Sequence, residues 1–216
     1  MSDEIQRSDE WFAARCGKAT ASAIHKIMAT TKSGWGADRY NYETQLVLER
    51  LTGKPAETYT NAAMQWGVDT EAQARAAYEL ESGNTVTETG FVPHPSIAES
   101  GASPDGLIGD DGCLEIKCPN SATHLDFLLD PMVDKKYICQ VQWQMACTGR
   151  AWCDFVSFDP RFPLDLQMKI VRINRDNAYI QVLETHVIEF LQGVRTKVIA
   201  LVGEQVVEGD NPLAAG

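Results

Sequence analysis

Ser103-Pro104-Asp105-Gly106-Leu107, then Asp110-Asp111-Gly112, then Cys113-Leu114-Glu115-Ile116-Lys117-Cys118-Pro119 is the stretch on which the fold turns. Asp110-Asp111-Gly112 is a hairpin turn signal between two short strands, 105–109 and 113–118. Residues two apart on a strand share a face, so Glu115 and Lys117 point one way and Ile116 points into the core. The turn returns Asp105 alongside them. Two carboxylates and one ammonium therefore converge at one end of a small sheet. That set suits phosphodiester hydrolysis. Mg2+ takes oxygen ligands, commonly one or two carboxylates plus waters. It acidifies bound water and neutralises phosphoryl charge, while a neighbouring lysine orients the water or stabilises the transition state. The competing reading is a surface hairpin with a cross-strand ion pair. Pro104, the turn and the apolar Leu114 and Ile116 weigh against it.

Outward from the hairpin, short helices are expected at 9–16 and 20–29, the second capped by Thr20 or Ser22. A polar loop at 30–36 follows, then a helix at 38–52 closed by Gly53 and a longer one at 62–82 that stops at Gly83. Thr85 to Val92 alternates like a strand. Residues 136–148 read as a helix, 151–158 and 166–174 as strands, and 176–202 as a final amphipathic helix. This order implies an α/β fold, a mixed central sheet flanked by helices. No repeat or linker divides the chain, so residues 1–216 are expected to form one domain, with 204–216 a flexible tail.

The 216 residues carry a net charge of -11, unusual for a partner of nucleic acid. Its distribution alters that reading. Residues 61–134 hold 13 acidic and 2 basic residues, which accounts for the whole excess, while both flanks are neutral. The acid is concentrated around the proposed metal site, and the flanks leave room for basic patches. The six cysteines, at 16, 113, 118, 139, 147 and 153, include no CxxC pair. They read as reduced thiols rather than ligands of zinc or an iron–sulfur cluster. With no signal-like N-terminus and no long apolar run, a cytoplasmic protein without a membrane span is expected. His25, His94, His124 and His186 are scattered and read as non-catalytic.

The chain resembles the YqaJ-like viral recombinase family of phage lambda-type exonucleases, within the PD-(D/E)xK nucleases. The resemblance spans about residues 9–205. It rests on Trp11 through Arg15 and Thr20-Ala21-Ser22; Trp66-Gly67 with Glu71; Ser103 through Leu107; Leu114 through Pro119; Gln140-Val141-Gln142; and Phe158-Asp159-Pro160-Arg161. It implies a restriction-endonuclease-like core and a 5′-to-3′ exonuclease that digests one strand of duplex DNA from its ends, leaving a 3′ overhang. It also implies two Mg2+ ions, with Mn2+ as a substitute, a ring-shaped homotrimer, and a phage-type single-strand annealing protein as partner. The setting implied is a bacterial host cell, with the protein phage- or prophage-encoded.

By the same resemblance, Asp105, Glu115 and the backbone carbonyl of Ile116 hold metal, and Lys117 is the catalytic lysine. Glu71 and Gln140 complete the catalytic set. Arg15, Ser22 and Ser103 match positions that contact the 5′-phosphate. Lys32 matches a DNA-binding arginine of the family, and loses its bidentate geometry. Met64 matches an apolar wedge between the strands. From the residues alone, Glu71 is equally an exposed helix residue and Met64 equally a core residue of the 62–82 helix. Gln140, on an otherwise apolar helix, needs a buried partner. A restriction-type endonuclease would need a base-reading element, and none is evident. A non-catalytic DNA-end-binding protein would be expected to lack one of Asp105, Glu115 or Lys117.

Overall fold

The computed structural model describes residues 6–56 and 61–203; the expected tail at 204–216 lies outside them. Helix α1, Asp9–Arg15, starts where the Ser8 side chain accepts from the Trp11 N–H. A two-residue strand β1, Ala19–Thr20, follows, then a single 3-10 turn and a four-residue helix α2, Ile24–Ile27. The helix expected over 20–29 is thus shortened: it opens as a 3-10 turn at 21–23, only Ile24–Ile27 is α-helical, and Thr20 belongs to β1. Ala19 and Thr20 pair in parallel with a strand far along the chain, and neither Thr20 nor Ser22 caps with its side chain. Strands β2, Thr30–Thr31, and β3, Gly34–Trp35, make a small hairpin in the segment expected to be loop. Helix α3, Ala37–Thr52, ends at Gly53 in the left-handed conformation (φ 65°). Helix α4, Ala62–Ser82, is capped by Asn61 and ends the same way at Gly83.

The segment read as one strand, 85–92, divides. Strand β4, Val86–Thr87, joins the main sheet, whereas β5, Val92–Pro93, joins a separate one with β6, Ser100–Ala102, and β1. Strands β7, Gly106–Ile108, and β8, Gly112–Lys117, form the expected hairpin. Helix α5, Ser121–Leu129, was not anticipated; Asn120 caps it. Then come α6, Lys135–Thr148, β9, Trp152–Phe158, β10, Met168–Asn174, and α7, Asn177–Val202. The main sheet runs β10-β9-β8-β7-β4, mixed because β8 and β9 are parallel and the other pairs antiparallel.

Both faces of β8 and β9 are covered. Leu114, Ile116, Val156 and Phe158 pack on Ala74 and Tyr78 of α4. Cys113, Cys153 and Phe155 pack on Val141 and Met145 of α6. The opposite side of α6 contributes Cys139, Trp143 and Cys147 to a helical layer built with α2, α3 and α7. Helix α6 is therefore buried all round from Cys139 to Cys147, and each of its glutamines must find a partner inside. No helix of the described residues is long and apolar enough to cross a membrane.

Candidate active site

The β7–β8 register pairs Gly106 with Leu114, and one step further sets Asp105 opposite Glu115. The Asp105 N–H donates to Leu114 O (3.1 Å), and the Ile116 N–H donates to Asp105 Oδ2 (2.7 Å). Gly106 permits this arrangement: a Cβ there would lie 2.1 Å from Val86 Cγ1 of β4. The sheet edge closes against Asp105 because that position has no side chain.

Glu115 is 1% exposed, and both of its oxygens accept hydrogen bonds. Lys117 Nζ (2.5 Å) and Gln140 Nε2 (2.6 Å) donate to its Oε1, and Gln144 Nε2 (2.5 Å) to its Oε2. Gln140 finds here the buried partner its position demanded. Gln144, one helical turn on, holds the other oxygen and was overlooked. The i,i+4 spacing of two glutamines on a buried helix was the available signal. Lys117 Nζ also lies 5.1 Å from the Tyr137 ring centroid.

Asp105, Ile116, Lys117, Glu71 and Met64 line one cleft, with Arg7 and Tyr137. Glu71, on α4, accepts from Arg7 Nη2 (2.9 Å) and lies 3.8 Å from Arg75. Arg7 was not anticipated, and nothing in its local sequence marks it. Burial, then Glu115, and further Glu71, raise Asp105 well above the usual carboxylate range, against the opposing Lys117 and the Ile116 N–H. Burial disfavours charge on Lys117, but Glu115 and Asp105 outweigh it and raise the lysine above its ordinary value.

The donor set fits a hard divalent cation. Asp105, Glu115 and the Ile116 carbonyl offer only oxygen, and a cation would relieve the repulsion that raises Asp105. Among the described residues no group of three or more His, Cys, Asp or Glu side chains is arranged around a common metal position.

A second cleft holds Arg15, Ser22 and Met64, with Trp11, Lys18 and Lys26. Arg15 Nη1 donates to Ser103 Oγ (3.1 Å), and so does Trp11 Nε1 (3.0 Å). The Arg15 guanidinium lies 4.1 Å over the Trp11 ring. Burial lowers the arginine pKa, with Tyr42 and Glu49 opposing. Ser22 lines this cleft from its 3-10 turn, so the helix N-terminus expected behind it is absent; α2 is too short to supply a dipole. Met64 is 51% exposed, between the two clefts, and so is not a core residue. Lys32 sits at the exposed tip between β2 and β3 and lines neither cleft. His124 is a buried structural residue between Ser157 Oγ (2.8 Å) and Leu166 O (2.9 Å). All six cysteines are free.

Comparison with known proteins places this geometry. The structure superimposes on LHK-Exo, an alkaline exonuclease from Laribacter hongkongensis, with a TM-score of 0.85 at 47% identity, covering 94% of this chain and 100% of that one. The same protein in complex with dAMP gives 48% identity and the same TM-score and coverage. A phage-related exonuclease from Haemophilus somnus 129PT shares the fold, with a TM-score of 0.67 over 87% of this chain and 96% of that one, at 18% identity. No curated protein matches the chain. The fold is restriction-endonuclease-like. The model of the YqaJ-like viral recombinase domain matches residues 10–151, and the chain belongs to that family.

Proposed function

We propose that this protein is a Mg2+-dependent 5′-to-3′ exodeoxyribonuclease that digests one strand of linear duplex DNA and leaves a 3′ overhang for single-strand annealing. The observation that carries the reading is the convergence of Asp105, Glu115, Ile116 and Lys117 beside one open cleft. The similarity to an alkaline exonuclease across the length of both chains supports it. Asp105, Glu115 and the Ile116 carbonyl would hold two metal ions, with Mn2+ as a substitute, and Glu71 stands at the outer edge. When bound, the metal supplies an acidified water and charge neutralisation at the phosphoryl group.

The chain's own residues do the rest. Lys117, fixed by Glu115 and kept cationic, orients the attacking water and stabilises charge on the phosphoryl oxygens. Gln140 holds Glu115 Oε1 in place. Arg15, Ser22 and Ser103 receive the terminal 5′-phosphate, Arg15 offering a planar fork to the anion. Met64, exposed between the clefts, parts the strands as an apolar wedge. Lys32 contacts the duplex backbone. Residues 1–216 act as one nuclease domain and assemble as a homotrimeric ring, and a phage-type annealing protein takes up the overhang.

Incubating linear and closed circular duplex with Mg2+ tests the reading. Linear DNA is consumed to mononucleotides and single strands, the circle survives, and EDTA stops the reaction. A nicked or cut circle would indicate an endonuclease, and DNA bound but intact would indicate an end-binding protein.

A further inference from the structure

Trp11 carries no role in the function just proposed, yet it is tied to two residues of the phosphate pocket. Its indole N–H donates to Ser103 Oγ (3.0 Å), and its ring lies under the Arg15 guanidinium at 4.1 Å. Arg15 Nη1 donates to the same Ser103 oxygen (3.1 Å). A serine hydroxyl has two acceptor positions and one hydrogen. Both acceptor positions of Ser103 are taken, so the one hydrogen bond its hydroxyl can still make is as a donor. Arg15 has spent one of its five N–H groups, on a neutral acceptor, and its plane is fixed by the indole below it. Its remaining N–H groups stay available for an anion.

Resting on the end-phosphate reading above, we infer that Trp11 is a positioning residue for recognition of the 5′-phosphate. It holds Arg15 in the orientation that receives the phosphate and commits Ser103 to donating. The result is a site of fixed donors, which the several charged acceptor oxygens of a phosphate satisfy better than one neutral hydroxyl does. Little ordering of the arginine then remains to oppose binding, and the gain falls on the phosphorylated end alone. Trp11 touches no reacting atom; it acts through its two neighbours.

The distinguishing variants are Trp11→Phe, which keeps a ring beneath Arg15 and deletes the N–H, and Trp11→Leu, which deletes both. The measured quantity is the ratio of kcat/KM for blunt duplexes with 5′-phosphate and 5′-hydroxyl ends. A parallel measurement takes the Kd ratio for the same two duplexes in Ca2+. Trp11→Phe is expected to lower both ratios about 2- to 10-fold, the range for one hydrogen bond. Trp11→Leu is expected to lower them further, by about another 2- to 5-fold for the lost cation–π contact. In the Ser103→Ala background, Trp11→Phe should add nothing, because the acceptor it served is gone.

A merely structural tryptophan would depress both ends alike and leave the ratios intact. That result, or full additivity of Trp11→Phe with Ser103→Ala, overturns the inference. A wild-type enzyme indifferent to the 5′-phosphate removes the end-phosphate reading and this inference with it. A wild-type preference that both Trp11 variants retain removes only the inference.

Discussion

At the scale of single residues, the site sets two carboxylates that repel each other against one lysine that answers both. Asp105 is raised by burial and by Glu115; Lys117 is raised by the same carboxylates. Asp105→Asn and Lys117→Ala should each lower the digestion rate of linear duplex by about three or more powers of ten, given the several kcal/mol that such groups supply to phosphoryl transfer. Circular dichroism should show the fold retained for Asp105→Asn, which is isosteric, and a lowered Tm for Lys117→Ala, which strips the buried Glu115 of its cation. Digestion within about tenfold of wild type by folded Asp105→Asn would refute the assignment. Gln144 makes a finer test. It is 0% exposed, and its Oε1 has no partner among the described residues. A buried amide with one half unsatisfied carries a cost, which fits a group retained to hold Glu115. Gln144→Leu should therefore weaken Mn2+ binding, read by calorimetry, about 10- to 100-fold, as loss of a supporting hydrogen bond does elsewhere. Unchanged Mn2+ affinity would make Gln144 a packing residue only.

At the scale of elements, the site depends on how closely β4, β7 and β8 approach. Gly106→Ala would place a methyl on Val86 and push β4 away from the strand that carries Asp105. The expected cost is about 1–3 kcal/mol, seen as a fall in Tm of several degrees, accompanied by loss of activity. A second device locks the end of β9. Asp159, buried, accepts from Arg161 Nε (2.7 Å), Arg161 Nη2 (2.8 Å) and Ser121 Oγ of α5 (2.7 Å). Arg161 in turn lies 4.4 Å over Trp66 of α4. Burial would raise this carboxyl, but the Arg161 and Ser121 hydrogen bonds outweigh it and hold it at about 2. A depressed carboxyl stabilises the fold above its unfolded pKa of about 3.9, and that contribution fades as pH falls towards 2. Asp159→Asn should lower Tm at pH 7, and the gap to wild type should narrow between about pH 4 and pH 2. A gap that is constant across that range would show that the pairing contributes nothing.

At the scale of the whole molecule, a net charge of -11 sets a problem for any protein that must hold DNA. Affinity for duplex comes largely from neutralising phosphates, and the 19 Lys and Arg of this chain are outnumbered by 30 Asp and Glu. A closed ring gathers the cations of several copies around one channel, which is the physical case for the proposed trimer. Light scattering at micromolar concentration should give about three times the 23.9 kDa of one chain. A monomer would count against the ring. Processive digestion should also fall about tenfold or more between 50 and 200 mM salt, since every phosphate contact gathered by the ring releases counterions and steepens the salt dependence.

The sequence by itself determined the parts whose signals are local. The β7–β8 hairpin followed from the turn signal at Asp110-Asp111-Gly112, although the turn itself is residues 109–111 and Gly112 opens β8, and with the hairpin came the meeting of Asp105, Glu115 and Lys117. The ends of α3 and α4 followed from Gly53 and Gly83, because glycine reaches the left-handed conformation without a steric penalty. Gln140 announced its own need for a partner. What the tertiary structure alone decided depended on residues distant in sequence. Thr20 leaves the helix expected over 20–29 because it and Ala19 pair with Ser100 and Gly101, some eighty residues on. The apparent strand 85–92 divides because its two ends are claimed by different sheets. Gln144 reads like any helical glutamine until the β8–α6 packing brings Glu115 within 2.5 Å, and Arg7 is unmarked until α4 presents Glu71 to it. Local propensity amounts to tenths of a kcal/mol per residue, and a long-range pairing or a buried charge outweighs it.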